Sequence, residues 1–130
     1  MKQRILVVED NQANRELLCD WLESEGFEAV HAEDLEQSYA VFEANVPDAV
    51  LLDVQLGRED GTSLAKWIRQ RPGLRHIPVI AVTAHAMLTD QQRAIQAGCD
   101  ACISKPVDFK SLRQQLQVWL KQARQIPSGA

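Results

Sequence analysis

Four short apolar segments of this chain each run into a residue suited to phosphoryl chemistry. Residues 5–8 (Ile-Leu-Val-Val) lead into Glu9-Asp10, and residues 49–52 (Ala-Val-Leu-Leu) lead into Asp53. Residues 79–82 (Val-Ile-Ala-Val) lead into Thr83, and residues 101–104 (Ala-Cys-Ile-Ser) lead into Lys105-Pro106. A strand delivers the residue after its last apolar position to the sheet edge. If the strands are parallel, three carboxylates, a hydroxyl and an ammonium share one edge. Neighbouring carboxylates repel, and without a partner one of them takes up a proton. A hard divalent cation removes that conflict. Mg²⁺, or Mn²⁺ in its place, takes about six oxygen ligands and keeps several waters. Asp10 and Asp53 can supply two ligands, the backbone carbonyl of Gln55 a third, and Glu9 another, directly or through water. Thr83 and Lys105 extend the set from metal binding to phosphoryl handling, which rests on positioning and on neutralising oxygen charge. Asp53, central among these groups, is the expected nucleophile, forming an aspartyl phosphate.

The elements that must position these residues alternate strand and helix five times. Strands are expected at 4–9, 27–32, 49–53, 78–83 and 101–104. Helices are expected at 13–25, 35–45, from Thr62 or Ser63 to just before Pro72, at 88–97 and at 108–124. Ala13, Leu17, Leu18, Trp21 and Leu22 form the apolar stripe of the first helix, and Phe109, Leu112, Leu116, Leu120 and Ala123 that of the last. Asp34 and Asp108 are expected N-caps, Gly26 and Gly98 helix terminators. Residues 57–61 are expected to be a loop and 125–130 a loose C-terminal tail after a single domain, 1–124. The first, third and fourth strands are continuous apolar runs, as burial on both faces requires, which indicates a parallel sheet between helices. Right-handed crossovers limit the topology. The expected fold is α/β, a doubly wound (βα)5 five-stranded parallel sheet, with the flavodoxin-like order 2-1-3-4-5 taken from known proteins of this class. In that order the chain reverses direction between strands 1 and 3. Asp10 and Asp53 then flank a crevice, with Thr83 and Lys105 beside it.

Composition narrows the function classes. The 130 residues carry a net charge of −4, which speaks against a general nucleic-acid binder, a class that usually carries a basic stripe, and leaves room only for a specific basic face; no direct nucleic-acid partner is expected. No apolar run approaches the roughly 20 residues of a membrane span, and the run after Met1 is too short for a signal peptide, so a cytoplasmic location and no membrane partner are expected. The odd number of cysteines, Cys19, Cys99 and Cys102, argues for free thiols. Cys99 and Cys102 have C-x-x-C spacing, but they follow a helix and enter a strand, whereas a redox pair opens a helix. No glycine-rich phosphate loop follows the first strand, where Asn11-Gln12-Ala13 stands instead.

Glu9-Asp10, Asp53 with Gly61 eight residues later, Thr83-Ala84 and Lys105-Pro106 together resemble the motif set of the response regulator receiver domain of two-component signalling (CheY-like). The resemblance spans about residues 4–122, with every motif in order. Residues 81–87 and 103–107 are most similar to receivers of hybrid sensor kinases and single-domain relay regulators. It implies that a histidine kinase or His-phosphotransfer protein passes a phosphoryl group to Asp53 with Mg²⁺. It also implies that Lys105 and Thr83 are drawn to the product, reshaping the face of the fourth helix, fifth strand and fifth helix (α4-β5-α5) for a downstream partner or a homodimer. Such a domain catalyses only its own phosphorylation and dephosphorylation.

Two departures bear on output. The family usually has an aromatic residue three before the lysine, and this chain has Cys102, which cannot report the threonine position by swinging between rotamers. The loop after the phosphoacceptor usually carries Met-Pro, and this chain has Leu56-Gly57, which frees the backbone. Gln55 and His85 should overhang the phosphoryl group and tune access of the hydrolytic water. His85 reads equally as an exposed loop residue, while Trp119 reads equally as partial core or as a partner anchor. The alternatives are a degenerate receiver serving only as an interaction module, or a metal-dependent hydrolase. Met1 directly before the first strand reads as a natural N-terminus, of either a stand-alone regulator or a fragment of a longer protein.

Overall fold

The computed structural model describes residues 2–84 and 88–125, the side chains of 123–125 excepted. Five strands form one sheet: β1 (Arg4–Val8), β2 (Glu28–Ala32), β3 (Ala49–Asp53), β4 (Val79–Thr83) and β5 (Ala101–Ser104). Five helices alternate with them: α1 (Gln12–Ser24), α2 (Leu35–Ala44), α3 (Thr62–Gln70), α4 (Leu88–Ala97) and α5 (Phe109–Gln125). The spatial order is β2-β1-β3-β4-β5, and every neighbouring pair is parallel. This is the expected flavodoxin-like arrangement. Among the described residues no helix is long and apolar enough to cross a membrane. Of the expected tail, 125–130, Gln125 instead ends α5, and 126–130 lie outside the described residues.

The continuous apolar runs of β1, β3 and β4 are explained by two cores, one on each sheet face. Leu6, Val8, Val50, Leu52, Val79 and Ala81 pack with Phe42, Leu64, Ile68, Ala94 and Ala97 of α2, α3 and α4. Ile5, Val7, Ala49, Leu51 and Ile80 pack with Leu18, Leu22, Leu112, Leu116 and Leu120 of α1 and α5. Alternate residues of one strand thus serve opposite cores, so no position is free to be polar.

Helix starts follow the caps read in the sequence. The Asp34 side chain accepts from the Gln37 N–H at 2.8 Å, and Asp108 accepts from the Lys110 N–H at 3.0 Å. Asn11 caps α1 by accepting from the Asn14 N–H at 3.0 Å. Gly26 and Gly98 end their helices in the left-handed region, at φ 90° and 113°.

Two details differ from the expectations, and one reading left open is narrowed. The stripe of α1 is narrower than read: Leu17 is 55% exposed and Ala13 is exposed, while Leu18 and Leu22 are buried. The inward position one turn before Leu18 is held by Arg15, which is buried. Residues 57–61 are not simply a loop. Gln55–Leu56 and Glu59–Asp60 pair as a two-stranded antiparallel hairpin, turned at Gly57 with φ 59°. Trp119 is half-buried against the α1–α5 core, with its ring N–H donating to Gln115 Oε1 at 2.9 Å, so it belongs partly to the core.

Candidate functional site

Parallel register brings the polar strand ends to one edge. Val8 of β1 stands beside Leu52 of β3, so Glu9 and Asp10 emerge next to Asp53. Asp53 pairs with Val82 of β4, and Thr83 pairs with Ser104 of β5, which places Lys105 one residue further on. The Lys105 backbone N–H donates to the Thr83 carbonyl at 2.8 Å, and the Lys105–Pro106 peptide is cis. One oxygen of each of Glu9, Asp10 and Asp53 lies within 4.8 Å of the other two. The set is made of hard oxygen donors at the spacing a small divalent cation bridges, so these residues fit Mg²⁺ or Mn²⁺.

Lys105 ties the group together. Its Nζ donates to Glu9 Oε1 at 2.7 Å and to Asp53 Oδ2 at 3.0 Å. The other Asp53 oxygen, Oδ1, accepts the Gln55 backbone N–H at 3.0 Å. Glu9 Oε2 accepts the Asn11 backbone N–H at 3.3 Å. Glu9 and Asp53 are buried, at 2% and 7% exposed, whereas Asp10 is open to solvent. Burial, reinforced by the Asp53 carboxylate, pushes the Glu9 carboxyl up to about 7 against the opposing pull of Lys105. For Lys105 burial disfavours the ammonium, but its bonds to Glu9 and Asp53 outweigh that and hold its pKa above the ordinary lysine value.

Around these groups lies a recess of about 330 Å³, lined also by Asn11, Asn14, Gln55, Gly57 and Ala84. Glu9 and Lys105 further border a smaller, more apolar recess of about 140 Å³ between Leu17, Leu18, Pro106, Val107 and Phe109. Thr83, 5% exposed, lines a separate recess that shares Gln55 and Gly57 with the first and adds Asp60, Asp90 and Arg93. Gly61 is required here by space. A Cβ on it would come within 2.1 Å of the Asp53 carbonyl oxygen, so only glycine lets the hairpin return against β3.

The structure therefore brings Glu9, Asp10, Asp53, Gln55, Thr83, Ala84 and Lys105 together. Pro106 sits at the rim, and Cys102 lies apart. Cys102 is half-buried on β5, beside Ala81 and against the α2–α4 core, and burial raises its thiol pKa. His85 lies outside the described residues. The reading of the sequence missed Arg15, whose Nη1 donates to the Glu9 carbonyl at 3.0 Å. Its signal was present: position 15 falls on the helical stripe of Leu18 and Leu22.

The sequence profile of the response regulator receiver domain matches residues 5–117. The polar-differentiation response regulator DivK of Brucella anthropi is 37% identical over 123 residues, covering 95% of this chain and all of that protein. A CheY-like response regulator receiver domain protein from Methanospirillum hungatei superposes with a TM-score of 0.86 at 30% identity, over 96% of this chain and 98% of that one. The receiver domain of a sensor histidine kinase from Pseudomonas aeruginosa, solved with magnesium coordinated in its active site cleft, superposes with a TM-score of 0.84 at 34% identity. That match covers 93% of this chain and 99% of that one.

Proposed function

This chain belongs to the response regulator receiver domain family of two-component signalling, and from that premise we propose that Asp53 is its phosphoacceptor. The observation that carries this reading is the double contact of Lys105 with Glu9 and Asp53. It supports the reading because it sets a cation against Asp53, a buried carboxylate that lines the open recess beside Glu9 and Asp10.

In the proposed reaction an Asp53 oxygen attacks the phosphorus of a phosphohistidine on a histidine kinase or His-phosphotransfer protein. The P–O bond forms as the P–N bond breaks, and the imidazole leaves with the electron pair. Mg²⁺ held by Glu9, Asp10, Asp53 and the Gln55 carbonyl would neutralise the equatorial oxygens. A magnesium ion in the cleft of the related kinase receiver supports that choice. Before the reaction Lys105 holds Asp53 Oδ2, and Gln55 N–H fixes the carboxylate plane through Oδ1. Afterwards the ammonium transfers to a phosphoryl oxygen, and the Thr83 hydroxyl donates to another. The added charge, about −1.5 to −2, is what draws these two groups inward.

Thr83 ends β4 and Lys105 follows β5, so their movement bears on the surface of α4, β5 and α5. We assign output, toward a protein partner or a second copy, to that face. This is signalling by a domain that changes only its own covalent state, rather than turnover of a released substrate.

The test is incubation with Mg²⁺ and acetyl phosphate. A base-labile, acid-stable mass gain that Asp53→Asn abolishes is expected. Absence of labelling in the unaltered chain, or labelling that survives in Asp53→Asn, overturns the assignment.

A further inference from the structure

The core-facing stripe of α1 contains a cation. Arg15 precedes Leu18 by three residues and Leu22 by seven, and all three are buried. A guanidinium there carries a desolvation cost that an aliphatic side chain at the same position would not. Its contacts show what it does. Nη1 donates to the Glu9 carbonyl at 3.0 Å and reaches the Asp10 carbonyl at 3.5 Å. Nη2 pairs with Glu33 Oε1 at 3.1 Å, just past β2.

These carbonyls need a donor. The β1–β3 ladder stops at Val8 and Leu52, so residues 9 and 10 leave the sheet without strand partners on that side. On the other side the Glu9 N–H donates to the Ala32 carbonyl at 3.0 Å. Arg15 thus completes the hold on the peptide from which both acidic side chains project. A planar guanidinium holds its donors in a fixed fork, gripping adjacent carbonyls and a carboxylate in one set geometry that a single ammonium on a flexible stem does not reproduce.

We propose that Arg15 is a positioning residue for the divalent-cation site, setting metal affinity by fixing the backbone of Glu9 and Asp10 and not by touching the metal. The inference rests on the metal-binding part of the function proposed above. The sign of the effect separates positioning from simple charge. Arg15 lies behind three carboxylates, so removing its charge alone should strengthen cation binding. Loss of positioning should weaken it. A residue that acts only on stability would lower the melting temperature and leave affinity in the folded chain unchanged.

The experiment uses the full chain, with Mn²⁺ binding followed by the EPR signal of free ion and Mg²⁺ added in competition. Arg15→Gln and Arg15→Lys are compared with the unaltered chain well below their melting temperatures. Arg15→Gln is expected to raise the dissociation constant roughly tenfold, as loss of a residue that orients metal ligands commonly does. Arg15→Lys is expected to remain weakened although its charge is kept, and it serves alone if the glutamine variant does not fold. Affinity equal to or tighter than that of the unaltered chain, in either folded variant, overturns the proposal. If the unaltered chain binds neither ion, the metal site itself fails and this inference with it. That result is distinguishable because it appears before any substitution is made.

Discussion

Lys105 Nζ and Asp53 Oδ2 stand 3.0 Å apart across 52 residues of chain. The lysine occupies the carboxylate oxygen while also holding Glu9, so it neutralises part of the site before any metal or phosphoryl group arrives. A divalent cation bound there would compete with the lysine for the same negative charge. Replacing Lys105 with Met should tighten Mg²⁺ binding several-fold, by removing a cation about 3 Å from two of the ligands. Phosphoryl uptake from acetyl phosphate should nevertheless slow, because the charge that receives the phosphoryl oxygens is gone. Calorimetric Mg²⁺ titration beside a labelling time course checks both directions. Weaker Mg²⁺ binding in the variant would show that Lys105 assembles the site rather than competing for it.

The raised Glu9 carboxyl gives the metal-free chain a distinctive pH dependence. Its folded value of about 7 exceeds its ordinary 4.5, so between these values the folded state holds a proton that the unfolded state has lost. Stability from this group is full below about pH 4.5 and is lost as pH rises through about 7. The pKa of Lys105 is raised too, but its charge is full in both states throughout that window, so it adds no slope there. Urea midpoints in EDTA should fall from pH 5 to pH 8, and Glu9→Gln should flatten the fall. Saturating Mg²⁺ should also flatten or reverse it, because binding expels the Glu9 proton. A slope unchanged by Glu9→Gln would assign the effect to other groups.

Gly61 is the point where the hairpin must pass close to Asp53. Alanine there would place Cβ within 2.1 Å of the Asp53 carbonyl oxygen, and backbone cannot yield as a flexible side-chain tip can. Gly61→Ala should cost about 1–3 kcal/mol in urea denaturation. It should also lower labelling of Asp53 in the fraction that stays folded, since Gln55, which orients the carboxylate, lies in the same hairpin. Normal stability with normal labelling would show that the hairpin relaxes freely.

The thiols should be quiet. Burial pushes Cys99 up to about 12 and raises Cys19 and Cys102 above the ordinary thiol value. Only the thiolate is nucleophilic, so native protein at pH 8 should react slowly with iodoacetamide. Cys99 should be modified only after denaturation, as read by mass spectrometry. Rapid native labelling at Cys99 would reveal frequent opening at the α4–β5 junction.

The legible part of this protein was the part encoded locally. Apolar runs at 5–8, 49–52 and 79–82 must be buried on both faces, and that requirement alone leads to a parallel sheet between two helical layers. The caps at Asp34 and Asp108 act on N–H groups two or three residues away, so they are readable in sequence. Because the polar strand ends share one edge in any such sheet, Glu9, Asp10, Asp53, Thr83 and Lys105 were legible as one site.

Contacts set by three-dimensional register were not legible. The Lys105–Glu9 bond closes 96 residues, and only the pairing of distant strands brings its two ends together. The helical stripe of Leu18 and Leu22 marks Arg15 as inward-facing, yet nothing local says that its partners are the strand-end carbonyls of Glu9 and Asp10. The hairpin after Asp53 likewise depends on Gly61 meeting β3 from the side. The sequence by itself determined the five strands and five helices, their alternation along the chain and the chemistry at the strand ends, because these follow from burial and from bonds to near neighbours. Only the tertiary structure decided which cation meets which carboxylate and which backbone is held rigid, because those outcomes depend on distances between segments that the chain joins only by folding.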